Sequence, residues 1–574
     1  MGRGIGASSG IAIGRAYVLP VLEWDFPDKM VDVTDLALEL EKLHNSIRFS
    51  KGELEAIKQD ISELIGEEES HIFNAHLAIL EDPIFITEVR SIMQRQYKAA
   101  EVAVKETIDK FVNMFDLLDD DYMKERAADI KDVGNRLLKH LLGNFQDASP
   151  PLEEPYVLVA KELTPSQLAN VNPSEVLGIV TFMGGMTSHA VIMARAMGIP
   201  FVVGMEGKIE RPIQTGDFLI VDGDDGVVLI NPEPALIEEY RNRHVNQVAR
   251  REMLQEIVEV PPVTRDGRRL VLKANINSLK ELEQALKNGV SSVGLFRTEF
   301  IFMDRSVMPS EEEQMELYKQ AAEKLNGNSL DIRALDIGGD KMVSYLPLPA
   351  EENPSMGYRS IRILLDRKDL FHTQLRAVLR ASLHGNIRLL FPMISSLDEV
   401  WKAKEALEEA KRELEKEGVP YNKEIPIGIM IEIPAAVAIA DLLAREVDFF
   451  SIGTNDLVQY VLAVDRMNES VAHLYDPFHP AVLRMLQMTV EAAKRHGIPV
   501  SVCGEMAGDQ RAIPLWLGLG IEEISMSVQS ILPVKDRLLK SDGGESASLL
   551  SRALNCRTSE EIRQLFQFNS CETD

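Results

Sequence analysis

Apolar residues recur at helical spacing through the first quarter of the chain. Between Leu36 and Leu64 they stand three, four or seven positions apart, which predicts an amphipathic helix of about 29 residues. Segments with the same spacing follow it, and strand signals are scarce before Pro150. The pattern therefore predicts an all-helical bundle over residues 25–145 with short connections.

The pattern changes after Pro150, where short runs rich in β-branched residues are separated by Gly, Pro and Asp. A lone strand-like run near residues 11–18 needs a sheet to join. We therefore expect one discontinuous α/β domain made of residues 1–24 and 146–230, with the helical bundle inserted into it.

Residues 231–260 are highly charged and free of glycine, and they end at Pro261-Pro262, which predicts a linker helix and a domain boundary. Eight strand-like runs then alternate with helical runs over residues 261–574. Such alternation fits an open doubly wound sheet, but the count of eight favours a closed TIM (β/α)8 barrel. The predicted fold class is thus multidomain α/β with a C-terminal barrel.

The 574 residues carry a formal net charge of −28. A balance this acidic argues against nucleic acid or an anionic membrane as the main partner, and it favours a basic protein. The three cysteines have neither metal-ligand nor disulfide spacing, and no apolar window is long enough to span a membrane. We therefore expect a cytoplasmic protein without membrane insertion.

Charged and polar side chains follow the strand-like runs of the predicted barrel. Because the carboxyl ends of the strands in a TIM barrel meet at one face, we expect these side chains to gather at the barrel mouth. Any one of them is more often half of a structural ion pair, so the prediction depends on the whole set. The set comprises Arg297, Glu299, Arg333, Asp336, Arg359, Glu432, Asn455, Asp456, Arg466, Cys503 and Glu505.

The residue types in this set indicate their chemistry. Four arginines on one rim suit a substrate with several anionic oxygens, because guanidinium groups bind phosphate and carboxylate through paired hydrogen bonds. Glu432 and Asp456 are suited to share a hard cation such as Mg²⁺ with substrate oxygens. Cys503 is a candidate proton donor or nucleophile.

His189 differs from the other histidines because a Gly-Gly turn and two hydroxyl residues stand just before it and lead directly into a helical run. The unpaired N–H groups and the positive dipole at a helix start attract anions, so they would stabilise a phosphoryl group on this side chain. Taken alone, the same segment is also typical of an ordinary capped helix.

Long motifs in this sequence resemble the phosphoenolpyruvate-utilising enzyme family. The segment GGMTSHAVIMARAMGIPFVVG resembles the phosphohistidine signature, and GLFRTEFIFMDR, RALDIGGDK, IMIEIPAA, FFSIGTNDLVQYVLAVDR and CGEMAGD resemble the barrel motifs. The helical block with HLAILEDP and DYMKERAADIKDVGNRLL resembles one branch, Enzyme I of the bacterial phosphoenolpyruvate:sugar phosphotransferase system. The resemblance covers nearly the whole chain in the right order.

The resemblance implies a function and a role for each residue of the set. It implies Mg²⁺-dependent phosphoryl transfer from phosphoenolpyruvate to His189, at Nε2, and then to the carrier protein HPr, with release of pyruvate. Cys503 would protonate the enolate, and Glu432 with Asp456 would bind Mg²⁺. The substrate-binding residues would be Arg297, Arg333, Arg359, Asn455, Asp456 and Arg466.

The resemblance also implies how the domains are used. The α/β domain would swivel to carry His189, the helical bundle would bind HPr, and the barrel would form a homodimer. Two acidic stretches of the bundle, Glu67-Glu68-Glu69 and Glu81-Asp82, are candidates to face a basic partner, although such runs are more often simply solvated.

Two positions depart from the family pattern and leave alternatives open. Met186 stands where Enzyme I commonly has Arg, and Leu168 stands where many members carry a Thr that bonds the active histidine. A diverged regulatory relay enzyme of the same fold, acting on a non-sugar carrier, is therefore an alternative. A dikinase would need a nucleotide-binding domain for which the chain has no room. A non-catalytic scaffold fits poorly with the complete set of site residues.

Overall fold

The chain forms two compact units, Met1–Val248 and Ala249–Asp574. The linker helix Pro234–Glu256 spans the boundary between them. The computed structural model describes residues 2–20, 24, 26, 29–64, 70, 72–116, 121–143, 154–186, 188–209, 211–303, 305, 307–339, 343, 345–346, 348–349, 351–468 and 470–566.

The helical bundle of the first unit has the predicted first helix, Leu36–Leu64. The apolar face of this helix is buried, as its helical spacing predicts, and Leu43, Leu54 and Ile61 are almost inaccessible to solvent. The other helices of this segment are Ile72–Glu81, Pro83–Gln96, Ala100–Asp116 and Asp121–Leu142.

The first unit also contains an eight-stranded sheet, in the order β1-β8-β7-β3-β4-β5-β6-β2. Strand β3 joins this sheet between β4, which runs parallel to it, and β7, which runs antiparallel. Segments on both sides of the helical bundle in sequence therefore share one sheet, as expected for an inserted bundle. The strands are β1 (Gly2–Arg3), β2 (Ile5–Ser8), β3 (Ile11–Val18), β4 (Tyr156–Ala160), β5 (Val176–Thr181), β6 (Phe201–Val203), β7 (Phe218–Asp222) and β8 (Val227–Ile230).

Two short helices pack beside this sheet. The Leu168 helix (Pro165–Ala169) begins with a complete capping box made by Thr164 and Gln167. The His189 helix (His189–Met197) ends at Gly198, whose φ of 70° is the left-handed conformation that favours glycine after a helix. Leu168 and the buried face of the His189 helix belong to one apolar cluster, which fixes the two helices against each other.

The second unit is a closed barrel of eight parallel strands, which confirms the predicted fold. Strand β16 pairs with β9 and completes the ring. The strands are β9 (Val271–Ile276), β10 (Val293–Phe296), β11 (Ser329–Arg333), β12 (Asn386–Phe391), β13 (Ile427–Ile431), β14 (Phe449–Ile452), β15 (Val500–Val502) and β16 (Glu523–Met526).

The third barrel strand lies earlier than the sequence pattern suggests. The apolar run at 332–337 predicts the strand there, but β11 begins at Ser329 and ends at Arg333. The residues after Arg333 are buried without continuing the strand, so their apolar character reflects packing at the mouth.

Helices surround the barrel strands. Within the described part of the chain, no helix is long and apolar enough to cross a membrane. The helices are Leu279–Lys287, Glu299–Phe302, Glu311–Lys324, Ile361–Asp366, Lys368–Ala381, Leu397–Glu417, Pro434–Ala438, Ala440–Leu443, Thr454–Leu462, Pro480–His496, Ile513–Leu519, Ile531–Leu539, Gly543–Ala553 and Ser559–Leu565.

Candidate active site

Four of the predicted residues lie at or just beyond the carboxyl ends of barrel strands. Arg333 is the last residue of β11, and Arg297, Glu432 and Cys503 each follow a strand directly. Because all eight strands are parallel, these ends share one face of the barrel. The structure therefore places these four side chains at the mouth.

The remaining members of the set come from segments that follow the strands. Asn455 and Asp456 lie in the first turn of the helix Thr454–Leu462, directly after β14. Arg359 precedes Ser360, whose φ of 57° is unusual for a residue with a side chain. Such a conformation costs about 1 kcal/mol or more and is found most often at functional sites.

Arg333 and Arg359 share one carboxylate partner, Asp336. The Nη1 atom of Arg333 lies 3.3 Å from Asp336 Oδ2, and Nη2 of Arg359 lies 3.1 Å from both oxygens. Arg333 also bonds Glu299. Burial lowers the pKa of both arginines, but the charges of these carboxylates outweigh it and raise each pKa above its ordinary value. Both guanidinium groups are therefore held as fixed cations.

Asp456 lies between two arginines without a hydrogen bond to either. Its oxygens are 3.7 Å from Arg359 Nη2 and 3.6 Å from Arg466 Nη1, which is too long for a hydrogen bond. Its Oδ1 atom is buried and has no hydrogen-bond partner among the described residues. A buried carboxylate oxygen in this situation is suited to a ligand.

Glu432 is a further buried carboxyl group of the site. Its Oε1 accepts a 2.6 Å hydrogen bond from the backbone N–H of Met393, whose φ is 56°. A Cβ on Gly453 would lie 2.7 Å from Glu432 Oε2, so glycine leaves room for the carboxyl group. Burial, together with the charges of Asp456 and Asp336, raises the pKa of Glu432 to about 8.

The two carboxyl groups fit a magnesium ion. A cation would relieve the repulsion that raises the pKa of Glu432, and it would satisfy the unpartnered oxygen of Asp456. No group of three or more His, Cys, Asp or Glu side chains suited to a metal occurs among the described residues. Two carboxylates nevertheless suffice for Mg²⁺ when substrate oxygens and water complete the octahedron.

Cys503 is a buried thiol at the same face. It is 2% exposed, and its Sγ donates a weak 3.6 Å hydrogen bond to the carbonyl of Ile452. Burial raises the pKa of Cys503 to about 11, and the nearby charge of Glu432 adds to the rise, whereas Arg333 and Arg297 oppose it. The group is therefore protonated at neutral pH, which favours a proton donor over a nucleophile.

Asn455 is held through a reciprocal pair of hydrogen bonds with Glu505. Its Nδ2 donates to Glu505 Oε1 at 3.0 Å, and its Oδ1 accepts from the backbone N–H of Glu505 at 2.8 Å. The loop between β15 and the next helix thus fixes the side chain of Asn455.

Two tyrosines belong to the site and were not expected from the sequence. The hydroxyl of Tyr460 accepts a 3.4 Å hydrogen bond from Arg359, and that of Tyr475 donates to the carbonyl of Asn455 at 3.3 Å. Tyr460 stands four residues after Asp456 on one helix face, so spacing was a usable signal. No comparable signal existed for Tyr475, which lies in an irregular segment.

His189 is the first residue of its helix in the other unit and is half-buried. Ser188 occupies the N-cap position, but its side chain makes no capping hydrogen bond. Gly184 in the preceding turn has a φ of 104°, a conformation that requires glycine. The predicted helix start at His189 is therefore present, and its first turn lacks the usual side-chain cap.

The two departures from the family pattern have clear surroundings. Met186 accepts a weak 3.9 Å contact at Sδ from Arg195 Nη2, so Arg195 occupies this side of the turn. Leu168 is completely buried in the apolar cluster beside the His189 helix. Apolar packing of Leu168 thus takes the place of the hydroxyl that a Thr would provide at this position.

Of the two predicted acidic stretches of the bundle, the structure describes only Glu81-Asp82. Glu81 pairs with Lys51, and Asp82 caps the helix Pro83–Gln96 by accepting a 2.7 Å hydrogen bond from Ile84 N. The stretch 67–69 lies outside the described residues. Each visible residue therefore has a local structural partner.

Family models match almost the whole chain. Residues 3–126 match the "PEP-utilising enzyme, N-terminal" model, 152–226 match the "PEP-utilising enzyme, mobile domain" model, and 251–542 match the "PEP-utilising enzyme, PEP-binding domain" model. A phosphoenolpyruvate-protein phosphotransferase of Geobacillus stearothermophilus is 46% identical over 97% of this chain and 96% of that protein. The chain belongs to the phosphoenolpyruvate-protein phosphotransferases of the PEP-utilising enzyme family.

A second curated relative agrees with this membership in the PEP-utilising enzyme family. A phosphoenolpyruvate-protein phosphotransferase of Bacillus subtilis (strain 168) is 45% identical over 98% of both chains. An NMR structure of Enzyme I (nEIt) is 36% identical, with a TM-score of 0.36, over 43% of this chain and 99% of that one. The names of the curated relatives confirm the motif resemblance and do not favour the regulatory alternative.

Proposed function

We propose that the chain transfers a phosphoryl group from phosphoenolpyruvate to His189 and then to a histidine of the carrier HPr, as the first step of sugar uptake. The observation that carries this proposal is the gathering of arginines, two carboxyl groups and a protonated thiol at one barrel mouth. Phosphoenolpyruvate needs these functions: cations for its phosphate and carboxylate, and an acid for its carbon.

The arginines bind and orient the substrate. Arg297, Arg333 and Arg466 would hold the phosphate and carboxylate, with Arg359 in support, because each guanidinium group offers several N–H donors in a fixed plane. Cations of this kind stabilise the charge that spreads over the transferred phosphoryl group in a loose transition state.

Glu432 and Asp456 would hold Mg²⁺. When bound, the ion supplies charge neutralisation for the phosphoryl oxygens and helps to orient them. Asn455 lies next to Asp456 in the chain, and two hydrogen bonds to Glu505 fix its side chain. It would therefore form a rigid part of the wall of the substrate site.

His189 and Cys503 perform the covalent chemistry. The Nε2 lone pair of neutral His189 forms the N–P bond as the P–O bond of the substrate breaks, and the electrons of that bond leave on the enolate. The thiol of Cys503 then gives its proton to the enolate carbon and yields pyruvate, and solvent returns a proton to the thiolate. Protonation removes the enolate and drives the transfer forward.

The partners complete the proposal. The helical bundle would bind HPr, the barrel would form a homodimer, and the α/β domain would swivel to carry His189 between barrel and carrier. An acidic protein suits a basic carrier surface, and the cytoplasm is the proposed location.

A labelling experiment tests this function. The wild type and His189→Ala are incubated with ³²P-phosphoenolpyruvate and Mg²⁺, with and without HPr. The expected result is label on the wild type alone, which moves to HPr when the carrier is added. Label that stays on the wild type would show that HPr is the wrong carrier, and an unlabelled wild type would contradict the proposed chemistry.

A further inference from the structure

A buried cluster of ionisable side chains lies in the helical bundle. His76 is fully buried, and its Nε2 lies 3.1 Å from Asp129 Oδ1. Its Nδ1 lies 3.9 Å from Asp132 Oδ2, and both aspartates are less than one-tenth exposed. Charged groups are costly to bury, so the contacts that hold these side chains in place deserve an explanation.

Asp132 reaches out of the bundle to the α/β domain. Its Oδ1 accepts a 3.1 Å hydrogen bond from the hydroxyl of Thr164, and its Oδ2 accepts a 3.3 Å hydrogen bond from the backbone N–H of Ser166. Thr164 and Ser166 stand at the start of the Leu168 helix. One carboxylate therefore clamps the two parts of this unit together.

The clamp is not required to form the Leu168 helix. Thr164 Oγ1 already accepts a 3.2 Å hydrogen bond from Gln167 N, and Gln167 Oε1 accepts a 3.0 Å hydrogen bond from Thr164 N. This capping box provides hydrogen-bond partners for N–H groups at the helix start without any residue from the bundle. The bonds to Asp132 consequently fix where the helix sits relative to the bundle.

The Leu168 helix in turn positions the His189 helix. Leu168 is fully buried and shares an apolar cluster with Ala190, Val191 and Ala194 of the His189 helix. A continuous path of contacts therefore leads from Asp132 in the bundle to the start of the helix that carries His189. Close packing transmits a displacement at one end of such a path to the other.

We propose that Asp132 is a positioning residue for the transfer of the phosphoryl group from His189 to the carrier. This inference rests on the proposed function, in which the carrier docks on the bundle. Asp132 holds His189 in a fixed place relative to that docking surface. The step at the barrel uses none of these contacts, so the two half-reactions should respond differently to loss of the clamp.

Rapid-quench kinetics on the full chain test the proposal. The two half-reactions, labelling by ³²P-phosphoenolpyruvate with Mg²⁺ and discharge to HPr, are timed separately for the wild type, Asp132→Ala, Asp132→Asn and Thr164→Val. Discharge by Asp132→Ala should slow about tenfold, the size expected for lost hydrogen bonds to a charged group. Asp132→Asn keeps an acceptor and should lose less. Labelling should change by less than about twofold, below the effect of one hydrogen bond.

Matched variants separate positioning from general damage. Asp109→Asn removes an exposed carboxylate from a neighbouring bundle helix and should leave both half-reactions unchanged. Thr164→Val removes one end of the clamp together with the cap on Gln167 N. The double variant of Asp132→Ala and Thr164→Val should therefore slow discharge by less than the product of the two single effects, because the two residues share one interaction.

Three outcomes would overturn the proposal. Discharge by Asp132→Ala and Thr164→Val at the wild-type rate would show that the clamp does not position His189. An equal slowing of both half-reactions would assign Asp132 a purely structural role. Failure of the wild type to become labelled would overturn the proposed function itself, and the inference with it.

Discussion

At the scale of single residues, Cys503 and Cys556 provide an internal comparison. Cys503 is buried and its pKa is raised to about 11, whereas Cys556 is half-buried. Because the thiolate is the reactive form, iodoacetamide should modify Cys556 well before Cys503 in the native protein at pH 7.5. Peptide mass spectrometry measures the order of modification. Faster modification of Cys503 would contradict its assignment as a protonated acid.

Removal of the Cys503 thiol should affect product formation. Cys503→Ala retains the arginines and carboxyl groups that bind substrate, so binding should persist while steady-state pyruvate formation falls by about 10²–10⁴, the range for general acids. A variant with the wild-type rate of pyruvate formation would mean that another group protonates the enolate. Lactate dehydrogenase coupled to NADH oxidation measures the rate.

Glu432→Gln should weaken the binding of Mg²⁺ but raise the free energy of unfolding at high pH. Loss of one anionic ligand should raise the Mg²⁺ concentration for half-maximal activity by about tenfold or more. The pKa of Glu432 rises from 4.5 to about 8 on folding, because burial disfavours the charged form. The contribution of Glu432 to the free energy of unfolding is therefore fully present below pH 4.5, and it is lost as the pH rises through about 8.

Without Mg²⁺, Glu432→Gln should thus gain stability relative to the wild type as the pH rises from 5 to 9, a window about the two pKa values. Urea denaturation at several pH values measures this difference. A difference in unfolding free energy that stays constant over the window would show that Glu432 is not a strained buried carboxyl group.

The residues of the site differ in how far the sequence reveals them. Glu432 could be found because a charged residue directly after a long apolar run stands out. Met393 and Tyr475 could not, because one acts through its backbone N–H and the other through a hydroxyl from an irregular segment. Contributions of this kind depend on backbone conformation, which residue type does not encode.

At the scale of elements, Leu168 links the sequence departure to packing. Leu168→Thr restores the residue type common in the family but removes apolar contacts and buries a hydroxyl. The unfolding free energy should fall by about 2–4 kcal/mol, as for other large-to-small or polar changes in a core. Leu168→Ile keeps the volume and is the control, with an expected loss below about 1.5 kcal/mol. Equal stability of Leu168→Thr and the wild type would contradict the packing role.

Elements with a strong period were predictable, and elements at the site were less so. The helix Leu36–Leu64 could be placed from its apolar spacing because one face packs on the bundle throughout. The predicted position of β11 was too late because the buried segment after Arg333 continues the apolar pattern beyond the end of the strand. A buried segment at a barrel mouth has the same apolar composition as a strand, so composition alone could not show where the strand ends.

At the scale of the whole molecule, the chain distributes its chemistry between two units. His189 belongs to Met1–Val248, and the candidate substrate site belongs to Ala249–Asp574. The order of bundle, sheet and barrel could be predicted from changes in periodicity along the chain. The movement that brings His189 to its two partners has no such signature in the sequence and remains a prediction.

We propose above that His189 takes one phosphoryl group from phosphoenolpyruvate at the barrel. A rapid-quench measurement of pyruvate without any carrier tests it most directly, because the reaction must then stop once His189 is charged. We expect a burst of one pyruvate per chain in the wild type and none in His189→Ala. A burst of equal size in His189→Ala would contradict the account, because another group would then accept the phosphoryl group.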